Sequence, residues 1–167
     1  TTTLLLFGAT GDLAQRYLFP SLLRLHADGL LPDGLRIRGL ALSAHDDASF
    51  ADLLRQRLRE AAPDAHVAAA IEGLLARVQY RSVDLSDSAA VTAAVADVGG
   101  GTCLSYLSIP PALYPSTAQG LAQAGALAAP SRLMLEKPIG SDGASADALL
   151  EQIAGLIEEE RTYRVDH

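Results

Sequence analysis

Several protein classes can be set aside from what this sequence has little of. It holds one cysteine, Cys103, inside an apolar run. A disulfide framework is therefore excluded, and a reducing, cytoplasmic location is expected. Basic charge is short as well: 13 Lys and Arg stand against 20 Asp and Glu, a formal net charge of -7. Nucleic acid is not an expected partner, because its recognition needs a basic footprint. A phosphorylated small molecule remains open, since one helix terminus can override the global charge where it binds. No apolar run approaches membrane-spanning length, and the apolar opening has no basic flank, so no membrane partner is expected. His26, His45 and His66 lack metal-ligand spacing, and no metal site is assigned. The Gly-x-Ser-x-Gly nucleophile signature is missing too, and there is no internal repeat.

What is present is a globular composition, with 49% hydrophobic and 20% charged residues in 167. That length suits one domain, which would bury about two-thirds of its unfolded surface. The chain is organised around its start, TTLLLFGATGDLA. Six apolar and β-branched residues run into Gly8; Gly11 follows three positions later, and Ala14 three after that. From Asp12 the pattern becomes helical, with Leu13, Tyr17, Leu18, Leu22 and Leu25 recurring every three or four residues as an apolar face. A buried strand thus turns tightly into an amphipathic helix, which sets backbone N–H groups and the positive helix end against a phosphate. Gly8 allows the turn, Gly11 lets a pyrophosphate approach, and Ala14 lets helix pack on strand. Spacing alone also fits an ordinary tight β–α turn. The flanking strand and helix favour a dinucleotide site.

Further strands are expected at 35–43, 78–83, 103–107, 132–135 and 162–165. Helices are expected at 49–59, 67–76, 89–97, 114–124 and 144–159, with Gly99-Gly100-Gly101 as a flexible turn. This alternation predicts an α/β fold with a doubly wound, mostly parallel sheet in the order 3-2-1-4-5-6 and right-handed crossovers.

In such sheets ligands bind beyond the carboxyl ends of the strands. Four unusual sequences fall there: Gly8–Gly11, Ser108-Ile109-Pro110-Pro111, Glu136-Lys137-Pro138 and Asp166-His167. Lys137 is the sole lysine, a compact point charge suited to a sugar hydroxyl or a phosphate. It also fits a surface ion pair with Glu136. Asp166 beside His167 suits a charged or oriented imidazole.

Together GATGDLAQRYLFPSL, YLSIPPALY, RLMLEKPIGSD and YRVDH, in that order along the whole chain, resemble the N-terminal coenzyme domain of the glucose-6-phosphate dehydrogenase family. Glu-Lys-Pro alone is also similar to sugar oxidoreductases related to glucose–fructose oxidoreductase. The resemblance implies a Rossmann domain over 1–167, with NADP or NAD as coenzyme and glucose 6-phosphate as substrate, oxidised at C1 to a lactone in the pentose phosphate pathway. By it, Gly8, Ala9, Thr10, Gly11, Asp12 and Leu13 form the coenzyme phosphate turn. Leu42 and Ser43 lie on the coenzyme side beyond the second strand. Tyr106, Pro110 and Pro111 flank the nicotinamide, with Glu136 and Lys137 beside it. Lys137 would contact the reacting sugar, Pro138 would set its loop, His167 would bind the sugar phosphate, and Asp166 would orient the catalytic base. That base would lie in a further α+β domain past YRVDH, absent from this chain. The fragment would be monomeric and inactive, and the intact enzyme a homodimer or homotetramer.

Two positions depart from the family pattern: Tyr17 stands where a lysine is usual, and Leu42 where an arginine commonly holds the 2′-phosphate of NADP. Arg36 and Arg38 lie at the amino end of their strand, far from the ligand edge. A non-catalytic dinucleotide-sensing module or a divergent sugar oxidoreductase are the alternatives. Val83-Asp84-Leu85 would suit an epimerase or reductase of the short-chain type, but the Tyr-x-x-x-Lys pair fails, because Leu133 stands four residues before Lys137.

Overall fold

A computed structural model of the chain describes residues 1–136 and 142–166. Six strands form one sheet: β1 (Thr2–Phe7), β2 (Arg36–Ala41), β3 (Val78–Ser82), β4 (Thr102–Leu107), β5 (Arg132–Glu136) and β6 (Thr162–Val165). Their order is β3-β2-β1-β4-β5-β6, and all neighbouring pairs run parallel. Between them lie α1 (Phe19–Ala27), α2 (Asp47–Ala61), α3 (Ala65–Ala69), α4 (Ile71–Leu75), α5 (Ser88–Val95), α6 (Tyr114–Gln123) and α7 (Gly143–Ala154). The strand order expected from the sequence is the one observed.

A parallel sheet must be covered on both faces, and two clusters of buried side chains do so. One gathers Leu5, Phe7 and Leu107 with Val91, Leu121 and Ile153. The other gathers Leu6 and Ile37 with Phe19, Phe50, Leu54 and Leu74. The alternating ownership of β1 side chains by the two clusters follows from the two-residue period of a strand.

The first helical stretch differs from its expected register. Residues 14–18 form a π-helical turn ahead of α1. Five residues, rather than four, then separate the buried Ala14 from the buried Phe19, with Leu23 next. The extra residue rotates the apolar face, so Tyr17 (57% exposed) and Leu25 (40% exposed), expected on that face, stand in solvent. The stretch 67–76 is two short helices broken at Ala70. The last helix ends at Ala154 rather than running on to Glu159; Glu158 precedes a short 3-10 turn and pairs with Arg161 instead of ending a helix. Gly99 is more than a flexible link. A Cβ there would sit 2.0 Å from the Ala124 carbonyl oxygen, so the turn before β4 packs directly on the end of α6.

Arg38 is the least expected interior residue. It is 2% exposed and reaches the carboxyl end of α5, forming a two-pronged pair with Asp97 just beyond it at 2.7 and 2.8 Å. Further bonds go to the Ala94 carbonyl and the Gln79 side chain. The guanidinium holds the Asp97 carboxyl at about 2, well below its usual value. Arg38 is therefore a structural clasp between β2, β3 and the end of α5.

Candidate functional site

The order of the sheet reverses between β1 and β4, the position where doubly wound sheets open a crevice for ligands. At that point β1 ends on Phe7, level with Leu107 of β4. Gly8 then turns with φ +85, a conformation that L side chains rarely adopt. An added Cβ would lie 1.9 Å from the Ser108 carbonyl oxygen and 3.1 Å from Ile109 Cγ2. No side chain fits there, so glycine is required both by its dihedral and by the approach of the β4 loop. The Gly8 N–H donates to the Leu40 carbonyl at 2.7 Å and the Ser108 N–H to the Phe7 carbonyl at 3.0 Å. The turn is thereby stitched to both neighbouring strands.

Beyond Gly8 the backbone opens toward the crevice. Ala9 is fully buried and packs on Gly39, where a Cβ would come within 2.7 Å of the Ala9 Cβ. Gly11 is exposed, and an added Cβ would meet only the Gly8 carbonyl, at 3.1 Å. Its own N–H donates to that carbonyl at 2.9 Å, so Gly11 contributes open space, not a free donor. Helical geometry begins at Asp12. Among the described residues the N–H groups of Thr10, Asp12 and Leu13 meet no acceptor, as the first turn of a helix leaves them. Main-chain donors without a partner at the positive end of a helix are suited to an anion. A pyrophosphate fits these residues: the side-chain-free space is there, and the donors are unspent. Gln15, 7% exposed, braces the turn from below by donating to the Ala9 carbonyl at 2.7 Å.

The loop after β2 forms one wall. Leu42 and Ser43 are exposed, and Ser43 Oγ lies 3.0 Å from Thr10 Oγ1, joining wall to turn. The Tyr80 hydroxyl donates to the Ser43 carbonyl at 2.7 Å and the Ala41 carbonyl at 3.1 Å. Its ring stacks on Phe50, with centroids 4.6 Å apart, while His45 stands edge-on to it at 5.7 Å.

The other wall comes from β4 and β5. Tyr106, 9% exposed, donates its hydroxyl to Glu136 Oε1 at 2.8 Å. Burial first, and then the Glu136 carboxylate, push the Tyr106 phenol far above its ordinary value, so it stays a donor. Tyr114, buried on α6, donates to the Glu136 main-chain carbonyl at 2.9 Å. Two tyrosines thus pin the end of β5. Pro110 is exposed and Pro111 half-buried, opening the 3-10 turn ahead of α6. Asp166 is exposed just past β6. The sites expected at Lys137, Pro138 and His167 lie outside the described residues.

Sequence reasoning did not find Tyr114, Tyr80 or the Thr10–Ser43 contact. Each joins residues more than twenty positions apart, and none leaves a local pattern. A depression of about 400 Å³ lies between Tyr17, Arg24 and Leu25 of the first helical stretch and Ala62, Pro63 and Val67. Its lining includes none of the residues of the Gly8–Leu13 turn.

With this geometry established, comparison with known proteins decides the family. A family model described as "Glucose-6-phosphate dehydrogenase, NAD binding domain" matches residues 5–167. The chain belongs to the glucose-6-phosphate dehydrogenase family. It corresponds to that family's NAD-binding domain, and its coenzyme is NAD(P). The glucose-6-phosphate 1-dehydrogenase of Zymomonas mobilis subsp. mobilis is 40% identical over 171 residues, covering 99% of this chain and 35% of the relative. That of Mycolicibacterium smegmatis is 37% identical over 170 residues, covering 97% and 34%. Among solved structures, the glucose-6-phosphate 1-dehydrogenase of Mycobacterium avium superposes with a TM-score of 0.88 at 29% identity, covering 99% of this chain and 36% of that one. A glucose-6-phosphate dehydrogenase in complex with glucose 6-phosphate superposes at 0.82 with 26% identity, again over 99% and 36%. The chain therefore spans about a third of the length of these glucose-6-phosphate dehydrogenases.

Proposed function

We propose that this domain holds NAD(P) for the oxidation of glucose 6-phosphate at C1, as part of a longer dehydrogenase. The observation that carries this reading is the side-chain-free turn at the sheet's switch point, with Gly8 wedged against Ser108 and the N–H groups of Thr10, Asp12 and Leu13 without an acceptor among the described residues. Its family membership gives the turn its ligand, and the named activity of its relatives suggests the reaction.

Bound NAD(P) supplies a hydride acceptor. The C1–H bond breaks with its electron pair leaving as hydride, the C1 hydroxyl loses its proton to a base, and the new C=O makes the lactone. The residues of this chain bind and orient. The N–H groups of Thr10, Asp12 and Leu13 hold the diphosphate, while Ala9 and Gly11 keep side chains out of its path. Leu42 and Ser43 line the adenosine end. Tyr106, Glu136, Pro110 and Pro111 shape the nicotinamide end. We assign Lys137 to the reacting sugar, His167 to its phosphate and Asp166 to orienting the base. That base belongs to an α+β domain following residue 167, and residues 1–167 form a single dinucleotide-binding domain. Placement in the pentose phosphate pathway and in the cytoplasm, a homodimeric or homotetrameric assembly of the longer enzyme, and a monomeric isolated domain belong to the same proposal. The buried thiol of Cys103 and the name of a cytoplasmic relative from Arabidopsis thaliana support that location.

Calorimetry on the wild type and Gly11→Val tests the binding reading. The added side chain has only the Gly8 carbonyl beside it and extends into the crevice. The loss of diphosphate contacts costs on the order of 2 kcal/mol or more in affinity. Equal affinities of the two folded proteins would move the nucleotide elsewhere. For the reaction, the isolated domain should produce no NADH or NADPH above a buffer blank if, as proposed, the base is carried by another domain. In the longer enzyme His167→Asn should raise KM for glucose 6-phosphate more than for glucose.

A further inference from the structure

We infer that the loop after β2 selects NAD over NADP, with the Ser43 hydroxyl, set by Thr10, reading the free 2′-hydroxyl of the adenosine ribose. The inference rests on the reading that the glycine turn holds a dinucleotide. In a doubly wound sheet the ribose of the adenosine half then lies over the carboxyl end of β2, where Leu42 and Ser43 emerge.

Three observations define what this wall can accept. First, Ser43 is a prearranged partner for a hydroxyl. Its Oγ is 3.0 Å from Thr10 Oγ1, and its main chain is fixed by the Tyr80 hydroxyl at 2.7 Å. The preceding Leu42 carbonyl accepts from Ser82 Oγ at 3.3 Å. A hydroxyl pair can pass a hydrogen bond on to a neutral 2′-OH as donor or acceptor, and the fixed backbone reduces the ordering cost.

Second, the cations on neighbouring elements each have a partner of their own. Arg81 donates to the Tyr80 carbonyl at 2.8 Å and lies 3.5 Å from Asp47 Oδ1. Arg16 pairs with Asp12 at 3.4 Å. His45 Nδ1 is 3.0 Å from Ser49 Oγ, and its ring is engaged with Tyr80 and Phe50. The side chain that projects at the strand end is Leu42, 72% exposed and apolar. At the strand end itself a ribose 2′-phosphate would meet this apolar side chain in place of a guanidinium, the group best suited to it by a two-pronged contact.

Third, the positive end of α2, the other available anion site, is closed by the chain itself. Asp46 accepts the Ser49 N–H at 2.8 Å, and Ser49 Oγ accepts the Asp46 N–H at 3.1 Å, a reciprocal capping box. The bonds from Ser49 hold the Asp46 carboxyl below its ordinary value, so it is a fixed negative charge. Asp47 follows, accepting the Tyr80 N–H at 2.7 Å. A dianionic 2′-phosphate thus meets an apolar side chain and two carboxylates, while a 2′-hydroxyl meets a hydroxyl pair.

Calorimetric titration of the chain with NAD and with NADP, at one ionic strength, reads the selectivity directly. NAD should bind at least tenfold tighter. Leu42→Arg should raise the ratio of NADP to NAD affinity at least tenfold. Ser43→Ala should weaken NAD severalfold; an unchanged NAD affinity in the folded variant would overturn the role of that hydroxyl. Circular dichroism confirms that each variant is folded. NADP binding equal to or tighter than NAD, with both lost in Gly11→Val, would overturn the selectivity while leaving the dinucleotide site in place. Binding of neither by the folded wild type would overturn both.

Discussion

Replacing Gly8 with alanine separates two demands that the turn makes on one residue. At φ +85 an L side chain costs about 1–2 kcal/mol. The new Cβ would also stand 1.9 Å from the Ser108 carbonyl oxygen, where nothing flexible can yield. Relief requires the end of β4 to move away from the end of β1. That motion strains the Gly8-to-Leu40 and Ser108-to-Phe7 hydrogen bonds, each worth about 1 kcal/mol net. The expected total is about 3–4 kcal/mol, a large share of the roughly 5–15 kcal/mol that holds a domain folded. Gly29 supplies the control. Its φ is +71, yet nothing lies within 4 Å of its added Cβ, so Gly29→Ala should cost only about 1 kcal/mol. Urea denaturation reads both. With a slope of about 2 kcal/mol per molar, Gly8→Ala should lower the midpoint by roughly 1.5–2 M and Gly29→Ala by about 0.5 M. Midpoints that fall by the same amount would show that the β4 loop gives way freely, and the account of a rigid, closely packed turn would fail.

Other consequences are as concrete. Asp97 titrates at about 2 in the folded chain, against an ordinary 3.8, so its contribution is complete above about pH 4 and is lost as pH falls toward 2. Its side chain is 63% exposed while Arg38 is buried, so solvent screening reduces that contribution to about 1 kcal/mol. Between pH 5 and pH 2 the urea midpoint should fall about 0.5 M further in the wild type than in Asp97→Asn; parallel profiles would deny the coupling. Ser105 Oγ is fully buried and without a partner among the described residues, so Ser105→Ala should leave stability unchanged or raise it by up to about 1 kcal/mol. A clear loss in thermal melting would reveal a bond to that hydroxyl. Phe50→Ala removes a fully buried ring stacked on Tyr80 and should cost about 3–5 kcal/mol in the same assay. A loss under about 1 kcal/mol would contradict its place in the core.

The glycine turn and the sheet order were legible because their causes are local. Apolar runs of strand length and the change of period at Asp12 report directly on burial and handedness. The π-turn was not legible, since one additional residue in a helical turn alters no composition and moves Tyr17 and Leu25 outward only by rotation. The role of Arg38 was half legible. Its position near the amino end of β2 kept it from the ligand edge, but its partner Asp97 lies 59 residues away, and nothing in either neighbourhood announces the pair. The candidate site divides in the same way. Gly8 and Gly11 announce themselves by spacing. Ser43, Tyr80 and Tyr114 act through contacts that exist only once strands and helices are assembled.

The most direct measurement of the central claim is a titration of isotopically labelled chain with NAD, followed through its backbone amide resonances. The account predicts shifts concentrated at Gly8, Thr10, Gly11, Asp12 and Leu13, with a second group at Leu42, Ser43, Ser108 and Ile109. Shifts confined instead to Tyr17, Arg24, Ala62 and Val67, around the depression beside the first helix, would contradict it.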